Sequence, residues 1–129
     1  MIFTMNIDPP RTTAQEKGVR VVNGRPMWYT KKAVKDAENI FIGELLKHRP
    51  KQPLNGPVAL HTVWHYRRGK HKDGEYKITK PDTDNMVKLL KDCMTRCGFW
   101  NDDAQVAQET TIKVWSDEPG IEVYVDELS

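Results

Sequence analysis

Two closely spaced pairs of aspartates are the residues of this sequence whose types and positions could carry chemistry. Asp82 and Asp84 stand one residue apart in KPDTDN, just before a segment of helical periodicity, and Asp102 and Asp103 are adjacent in NDDAQ. One aspartate is enough to cap a helix, and a second carboxylate beside it adds repulsion unless a cation lies between them. Carboxylate oxygens are the ligands that Mg²⁺ prefers. The two pairs therefore predict a Mg²⁺ site, with helix capping as the simpler alternative for the first pair.

Basic side chains accompany these carboxylates. Lys88 follows Asp84 by four residues, so on a helix it shares a face with Asp84 and could form an ion pair with it or reach a phosphate beside the metal. A second basic group lies before Asp82, in a segment predicted to be an exposed loop. We expect this group to bind the backbone phosphates of a polyanion such as a nucleic acid, the alternative being a solvated loop that keeps the protein soluble. It comprises Arg67, Arg68, Lys70, Lys72, Lys77 and Lys80.

Charge is divided unevenly along the chain. Residues 1–80 contain 16 Lys and Arg against 7 Asp and Glu, and residues 81–129 contain 4 against 11, so that charges of +9 and −7 add to the net charge of +2. This division favours a polyanion bound by one part and a cation-requiring site in the other. Attraction between the two parts within the fold would explain the same composition.

The length of 129 residues predicts a single domain spanning residues 1–129. No apolar run approaches the roughly 18 residues of a membrane span, and the first residues lack a basic region followed by an apolar stretch. A cytoplasmic location is therefore expected. Cys93 and Cys97 share a face of a predicted helix without a second Cys or His pair nearby, so we expect them in the core rather than at a metal.

The elements that must position these residues follow from periodicity and turn signals. Strands are predicted in IFTMNI, on both sides of Asn23-Gly24, and in GPVALHTVWHY, VAQETTIKVW and GIEVYVDE. One helix is predicted after Thr30 as its cap, with core positions Ala33, Ala37, Ile40, Phe41 and Leu45. A second is predicted from Asp84 to a stop at Gly98, with core positions Met86, Leu89, Leu90, Cys93 and Cys97. Together they predict a small α+β domain with two helices packed on a mixed β-sheet.

The stretch from Lys80 to Val106 resembles the signature region of the RusA family of Holliday junction resolvases. The shared pattern is D-x-D-N at the start of a helix, a lysine one turn later, and G-x-W-x-D-D-x-Q-V. It is carried by Asp82, Asp84, Asn85, Lys88, Gly98, Trp100, Asp102, Asp103, Gln105 and Val106. The resemblance implies a RusA-like homodimeric endodeoxyribonuclease that uses Mg²⁺, with Mn²⁺ as an alternative ion. Such an enzyme recognises four-way DNA junctions and makes paired symmetric nicks in DNA recombination and repair.

The resemblance also implies roles for individual residues. By position, the metal ligands are Asp82, Asp84 and Asp103, and Lys88 is the essential lysine. Asp102 matches the second acidic residue of its pair and is included among the candidate ligands. The two pairs are separated by a predicted helix of roughly 18 Å. Asp103 therefore either returns along an extended path or serves the site of the partner subunit.

Other classes of protein stay open at this point. A transferase acting on nucleotide sugars through its DTD segment would need a nucleotide-binding domain for which the chain has little room. A catalytically silent branched-DNA-binding protein would use the aspartates only as caps, so that neither Asp103→Asn nor divalent ions would change any activity. An assembly factor that merely dimerises would show no preference for branched over linear DNA.

Overall fold

The computed structural model describes residues 1–11 and 17–129, without the side chains of residues 17–20 and 27–30. The described chain forms two helices, a four-stranded sheet and a separate two-stranded hairpin. The helices are α1 (Lys32–Leu45) and α2 (Thr83–Arg96). The strands are β1 (Ile2–Met5), β2 (Lys17–Val22), β3 (Arg25–Thr30), β4 (Val58–Arg67), β5 (Val106–Ser116) and β6 (Gly120–Glu127). The predicted α+β class, with two helices packed on a mixed sheet, is confirmed.

The large sheet has the strand order β1-β6-β4-β5. Strand β4 runs antiparallel to β6 and parallel to β5, and β6 runs antiparallel to β1. A parallel pair cannot be joined by a tight turn, so it needs a crossover connection. Here α2 lies in the crossover between β4 and β5. Helix α2 therefore begins near the carboxyl ends of these two strands and ends near their amino ends.

Strands β2 and β3 form the predicted hairpin around Asn23-Gly24. Asn23 has φ 51° and Gly24 has φ 76°. Two consecutive central residues with positive φ are what a type I′ turn requires, and its twist matches that of the flanking strands. The hairpin is a sheet of its own, so Pro26 lies on an edge strand, where a residue without a backbone N–H is tolerated.

Helix α1 turns a narrower face to the core than predicted. Its buried residues are Val34, Ala37, Phe41 and Leu45. Ala33 is exposed and Ile40 is 48% exposed, so the prediction of these two as core residues is wrong. Each precedes a buried residue by one position, which places it about 100° further round the helix. The predicted cap was also wrong, because the N-cap residue is Lys31 and Thr30 ends β3.

Helix α2 and strand β4 supply much of the core as predicted. The buried residues of α2 are Met86, Val87, Leu89, Leu90, Cys93 and Met94, and those of β4 include Val58, Leu60, Trp64 and Tyr66. Cys93 and Cys97 are both buried free thiols. The helix stops at Gly98, whose φ is 84°, and the Phe99 amide donates to the Met94 carbonyl at 3.0 Å. This Schellman arrangement turns the chain sharply toward the second acidic pair.

None of the helices in the described part of the chain is long and apolar enough to cross a membrane.

Candidate active site

The first acidic pair lies at the start of α2. Asp82 is the N-cap residue, but its side chain makes no capping hydrogen bond. Its carboxylate lies 3.3 Å from the Lys80 ammonium instead, and its side chain is 51% exposed. Asp84 is exposed in the first helical turn. Capping would have used a carboxylate oxygen to accept a backbone amide. Since that bond is absent, capping does not account for Asp82, and both carboxylates face solvent at a helix end.

The segment that leads into Asp82 is held by Lys113, a residue that sequence reasoning missed. The Lys113 ammonium on β5 donates to the carbonyl of Thr79 at 2.6 Å and to that of Pro81 at 2.5 Å. The Lys77 amide donates to the Lys113 carbonyl at 3.0 Å. These bonds fasten the approach to Asp82 against the end of the sheet. A single lysine in a polar strand carries no sequence signal for such a role.

The second acidic pair lies at the other end of α2, where a further carboxyl, that of Asp92, contacts Asp103. Asp103 opens a short 3₁₀ turn, Asp103–Gln105, and accepts a hydrogen bond from the Thr95 hydroxyl. Burial and the adjacent Asp103 carboxyl raise the pKa of Asp92 to about 6. Although burial opposes the change, hydrogen bonds from Asp92 and Thr95, together with the nearby indole N–H of Trp100, lower the pKa of Asp103. Asp92 and Asp103 therefore form a carboxyl pair that favours holding a proton between them, or a cation in its place.

Asp92 could have been found in the sequence from its spacing. Asp84, Lys88 and Asp92 recur every four residues, so they lie along one face of α2. The spacing alone does not identify a site, because a charged stripe is also typical of a solvated helix face. The position of Asp103 beside Asp92 makes it informative.

Lys88 lies between the two acidic groups. It is exposed, and it forms no ion pair among the described residues, so the pairing with Asp84, one of its two possible roles, is not made. Its charge acts instead on Asp92, where it lowers the pKa and partly offsets the effect of burial. The Lys88 ammonium is thus available to an anion on the face of α2.

The four predicted carboxylates do not converge within a single chain. Asp84 and Asp92 are separated by about 12 Å along the helix axis, at 1.5 Å per residue. Among residues 1–11 and 17–129, no group of three or more His, Cys, Asp or Glu side chains is close enough to hold a metal ion. Mg²⁺ is commonly bound by only one or two carboxylates, with water and substrate phosphates completing its shell. The oxygen donors at each end of α2 fit that requirement in pairs.

Asp102 has a structural task that its neighbour lacks. Its carboxylate accepts the Ala104 amide at 2.8 Å and caps the 3₁₀ turn. The Gln105 side chain completes this capping box by accepting the amides of Asn101 at 2.8 Å and Asp102 at 3.0 Å. Its amide group also donates to the carbonyls of Leu54 and Gly56. The D-D-x-Q pattern therefore builds a rigid turn that holds Asp103 in place.

A shallow depression of about 390 Å³ opens beside this turn. It is lined by Asp92, Thr95, Arg96, Asn101, Asp102 and Asp103. Carboxylates and a guanidinium in one depression suit a cation together with the phosphate that it neutralises. Trp100 is 1% exposed, and its indole N–H donates to the hydroxyl of Thr95, one of the lining residues.

The basic residues before Asp82 are exposed with one exception. Arg67 pairs with Asp8 at 3.0 Å, and Arg68 pairs with Asp117. Lys70, Lys72 and Lys80 are also exposed. Lys77 is only 4% exposed, because its ammonium is covered by the rings of Trp115 at 4.3 Å and Tyr66 at 5.1 Å. Burial lowers the pKa of Lys77. The prediction that Lys77 belongs to an exposed, phosphate-binding group is therefore wrong, because its ammonium does not face solvent.

Comparison with known proteins places this fold and site in a class of DNA-cleaving enzymes. The family model described as endodeoxyribonuclease RusA matches residues 8–126. The chain therefore belongs to the RusA family, and the predicted enzyme class, an endodeoxyribonuclease, is confirmed. Nucleases of this family generally use divalent metal ions.

Two relatives illustrate the range of the similarity. The chain is 29% identical over 129 residues to the crossover junction endodeoxyribonuclease rusA of Lactococcus phage r1t, covering 98% of this chain and 97% of that protein. It is 33% identical over 95 residues to the uncharacterized protein YqaN of Bacillus subtilis (strain 168), covering 64% of this chain and 66% of that protein. The first alignment includes nearly all of both chains, so it covers both acidic pairs.

Proposed function

We propose that this protein is a Mg²⁺-dependent endonuclease that resolves four-way DNA junctions by paired symmetric nicks in DNA recombination and repair. It acts in the cytoplasm as a homodimer. The observation that carries the proposal is that the Asp82 carboxylate, at the N-cap position of α2 and close to Asp84, makes no capping hydrogen bond to the helix. The phage relative that matches nearly the whole chain is named for cleavage of crossover junctions, which supports the choice of substrate.

Each residue has a distinct task in this reaction. Asp82, Asp84 and Asp103 would hold the metal, and the Asp92 carboxyl hydrogen-bonds to Asp103. A divalent ion held there would neutralise the phosphodiester and lower the pKa of a bound water. Lys88 donates to the scissile phosphate and stabilises the charge that develops there. Hydrolysis in line with the departing 3′ oxygen leaves 5′-phosphate ends that a ligase can join.

A site shared between two protomers would bring the separated carboxylates together. If the α2 helices of two copies lie antiparallel across a twofold axis, the start of one helix meets the later turns of the other. The separation of about 12 Å between Asp84 and Asp92 within a chain is then cancelled between chains. Each dimer would contain two such sites, as paired nicking of a symmetric junction requires.

The exposed basic residues before Asp82 would bind the arms of the junction. Arg67, Arg68, Lys70, Lys72 and Lys80 adjoin the start of α2 along the chain, and all five are exposed. Contacts to phosphate supply affinity and orientation rather than sequence information. The group would therefore place a backbone near Asp82 without selecting the sequence that is cut.

The deciding experiment compares a labelled synthetic four-way junction with a linear duplex of the same sequence. Cleavage is measured in Mg²⁺ and in EDTA, for the wild type and for Asp82→Asn. We expect paired symmetric nicks in the junction that need both the ion and Asp82. Tight junction binding without cleavage in any divalent ion would instead identify a catalytically silent branched-DNA-binding protein.

A further inference from the structure

A short chain of hydrogen bonds runs from the core to Asp103. The Trp100 indole N–H donates to the Thr95 hydroxyl at 2.7 Å, and the Thr95 hydroxyl donates to a carboxylate oxygen of Asp103. The hydroxyl also lies 3.1 Å from the Lys91 carbonyl in the preceding turn of α2. Trp100 is 1% exposed, so the chain begins at a fixed point inside the protein.

The direction of this chain follows from the chemistry of its members. An indole nitrogen can only donate, and a hydroxyl has one proton to give. Because Trp100 occupies a lone pair of the Thr95 oxygen, the threonine proton is available to Asp103 or to the Lys91 carbonyl. A threonine in a helix often settles for that carbonyl. Here the Asp103 carboxylate competes for the same proton, and an ionised acceptor makes the stronger hydrogen bond.

Trp100 is itself held in place from several sides. Its backbone pairs with Leu54 in an isolated bridge, and its ring meets Phe99 edge to face with 6.4 Å between the centroids. The indole therefore cannot follow the hydroxyl if the latter moves. The Thr95 oxygen is held between a buried donor and the carboxylate at the rim of the depression.

We propose that Thr95, backed by Trp100, is a positioning residue that orients the Asp103 carboxylate for the metal. This inference rests on the proposed function, in which Asp103 is a metal ligand. By donating to one oxygen, Thr95 restricts the rotation of the carboxylate and leaves its remaining lone pairs directed at the depression. Partners of this kind typically change metal affinity or activity by about 10-fold to 100-fold when they are removed.

Three variants separate positioning from plain stability. Thr95→Val keeps the shape but removes the hydroxyl, which also strands the buried indole N–H. Thr95→Val combined with Trp100→Phe removes both partners, so no donor is left unsatisfied. The smaller phenylalanine ring also leaves a cavity in the core, which lowers stability for a separate reason. Thr95→Ser keeps the hydroxyl and tests for rescue.

Thr111→Val is the matched control. The Thr111 hydroxyl is buried on β5 and has no hydrogen-bond partner in the described part of the chain. The same substitution there removes a buried hydroxyl of the same type that contacts no proposed ligand.

Each protein is assayed for junction cleavage against Mg²⁺ concentration, for its melting temperature in EDTA, and for exchange protection of the Trp100 indole proton without metal. We expect Thr95→Val and the double variant to need about tenfold more Mg²⁺ for half-maximal cleavage. We expect Thr95→Ser to restore most of the wild-type requirement. The indole proton should lose protection in Thr95→Val and keep it in Thr95→Ser.

The inference is overturned if Thr95→Val and the double variant, both folded in EDTA at the assay temperature, cleave with the wild-type Mg²⁺ requirement. It is equally overturned if the indole proton of metal-free Thr95→Val stays protected. Asp103→Asn in the same assay separates this failure from that of the proposed function. Full cleavage by Asp103→Asn would show that Asp103 is not a metal ligand, which contradicts the proposed function. Loss of cleavage in Asp103→Asn with a normal Mg²⁺ requirement in Thr95→Val would contradict only the positioning role of Thr95.

Discussion

At the scale of single residues, adjacent aspartates of the same type have different tasks. A carboxylate oxygen of Asp102 accepts a backbone amide, whereas the partners of Asp103 among the described residues are side chains. Asp82 occupies a capping position without capping. Position in the sequence therefore does not distinguish a cap from a candidate ligand, and the hydrogen-bond partner does.

Substitution of the two adjacent aspartates by asparagine should have unequal effects. Asp103→Asn removes a charge from the proposed metal site, so we expect the cleavage rate to fall by about a hundredfold or more. Asp102→Asn keeps a good capping residue, so its rate should change by less than about tenfold. Single-turnover cleavage of a four-way junction in Mg²⁺ measures both. Equal losses would contradict the division of tasks.

The carboxyl pair should make stability depend on pH when metal is absent. Burial and Asp103 raise the pKa of Asp92 from 3.8 to about 6, so between these values the folded state holds a proton that the unfolded state has released. The free energy of unfolding therefore falls as pH rises through this window. Asp92→Asn should abolish this contribution.

Melting temperatures in EDTA, measured between about pH 4 and about pH 6, test this expectation. The wild type should lose stability relative to Asp92→Asn as the pH rises, since only the wild type gives up the shared proton. Asp126→Asn, at an exposed carboxylate of β6, is the control and should follow the wild type. Parallel curves for the wild type and Asp92→Asn would contradict the assignment.

At the scale of elements, α2 connects the chemistry to the sheet. Lys113 holds the segment that leads into its start, and Gln105 holds the turn that follows its end. Both are polar residues whose partners are backbone carbonyls from other parts of the chain. The positions of the two acidic groups are therefore determined by the crossover of α2 and by the hydrogen bonds of Lys113 and Gln105.

Gln105→Ala should loosen the turn that carries Asp103. The change leaves the carbonyls of Leu54 and Gly56 without their donor and the amides of Asn101 and Asp102 without their acceptor. We expect a loss of about 1–3 kcal/mol in the free energy of unfolding, together with slower cleavage.

Denaturant unfolding and junction cleavage check this expectation. Gln108→Ala, at an exposed glutamine of β5, is the matched control, and its stability should change by less than about 0.5 kcal/mol. If both variants unfold at the same denaturant concentration as the wild type, the turn does not depend on Gln105.

At the scale of the whole molecule, the distance between the acidic groups bears on the proposed homodimer. Mixing an Asp82→Asn protomer with an Asp103→Asn protomer distinguishes a site shared between two chains from a site formed within one chain. A shared site predicts that the heterodimer regains one intact site and nicks one strand, whereas each homodimer is inactive. No activity in the mixture would show that each site draws its carboxylates from one chain.

The exposed basic residues should govern the salt dependence of junction binding. If Lys70 and Lys72 each bind a phosphate, replacing both by alanine should make the slope of log affinity against log salt less steep by about 1 per lysine. Lys32→Ala, at an exposed residue of α1 paired with Asp36, should leave the slope unchanged. Equal slopes for all three proteins would place the DNA elsewhere.

Much of this protein follows from its sequence alone. Period-2 and period-3.6 patterns determine the strands and the helices, and Asn23-Gly24 determines the hairpin because few residues tolerate two positive φ angles in succession. The misplaced core residues Ala33 and Ile40 lie beside the true stripe of α1, where periodicity alone cannot decide the exact face. The acidic pairs and Lys88 were found from residue type and spacing.

Only the tertiary structure decides how these residues meet. The parallel pairing of β4 with β5 sends α2 across the sheet and separates its ends, so Asp103 meets Asp92 and Thr95 rather than Asp84. Burial of Lys77 under two rings arises in the same way. The physical reason is that spacing determines neighbours along one element, whereas contacts between elements depend on strand order and crossover direction.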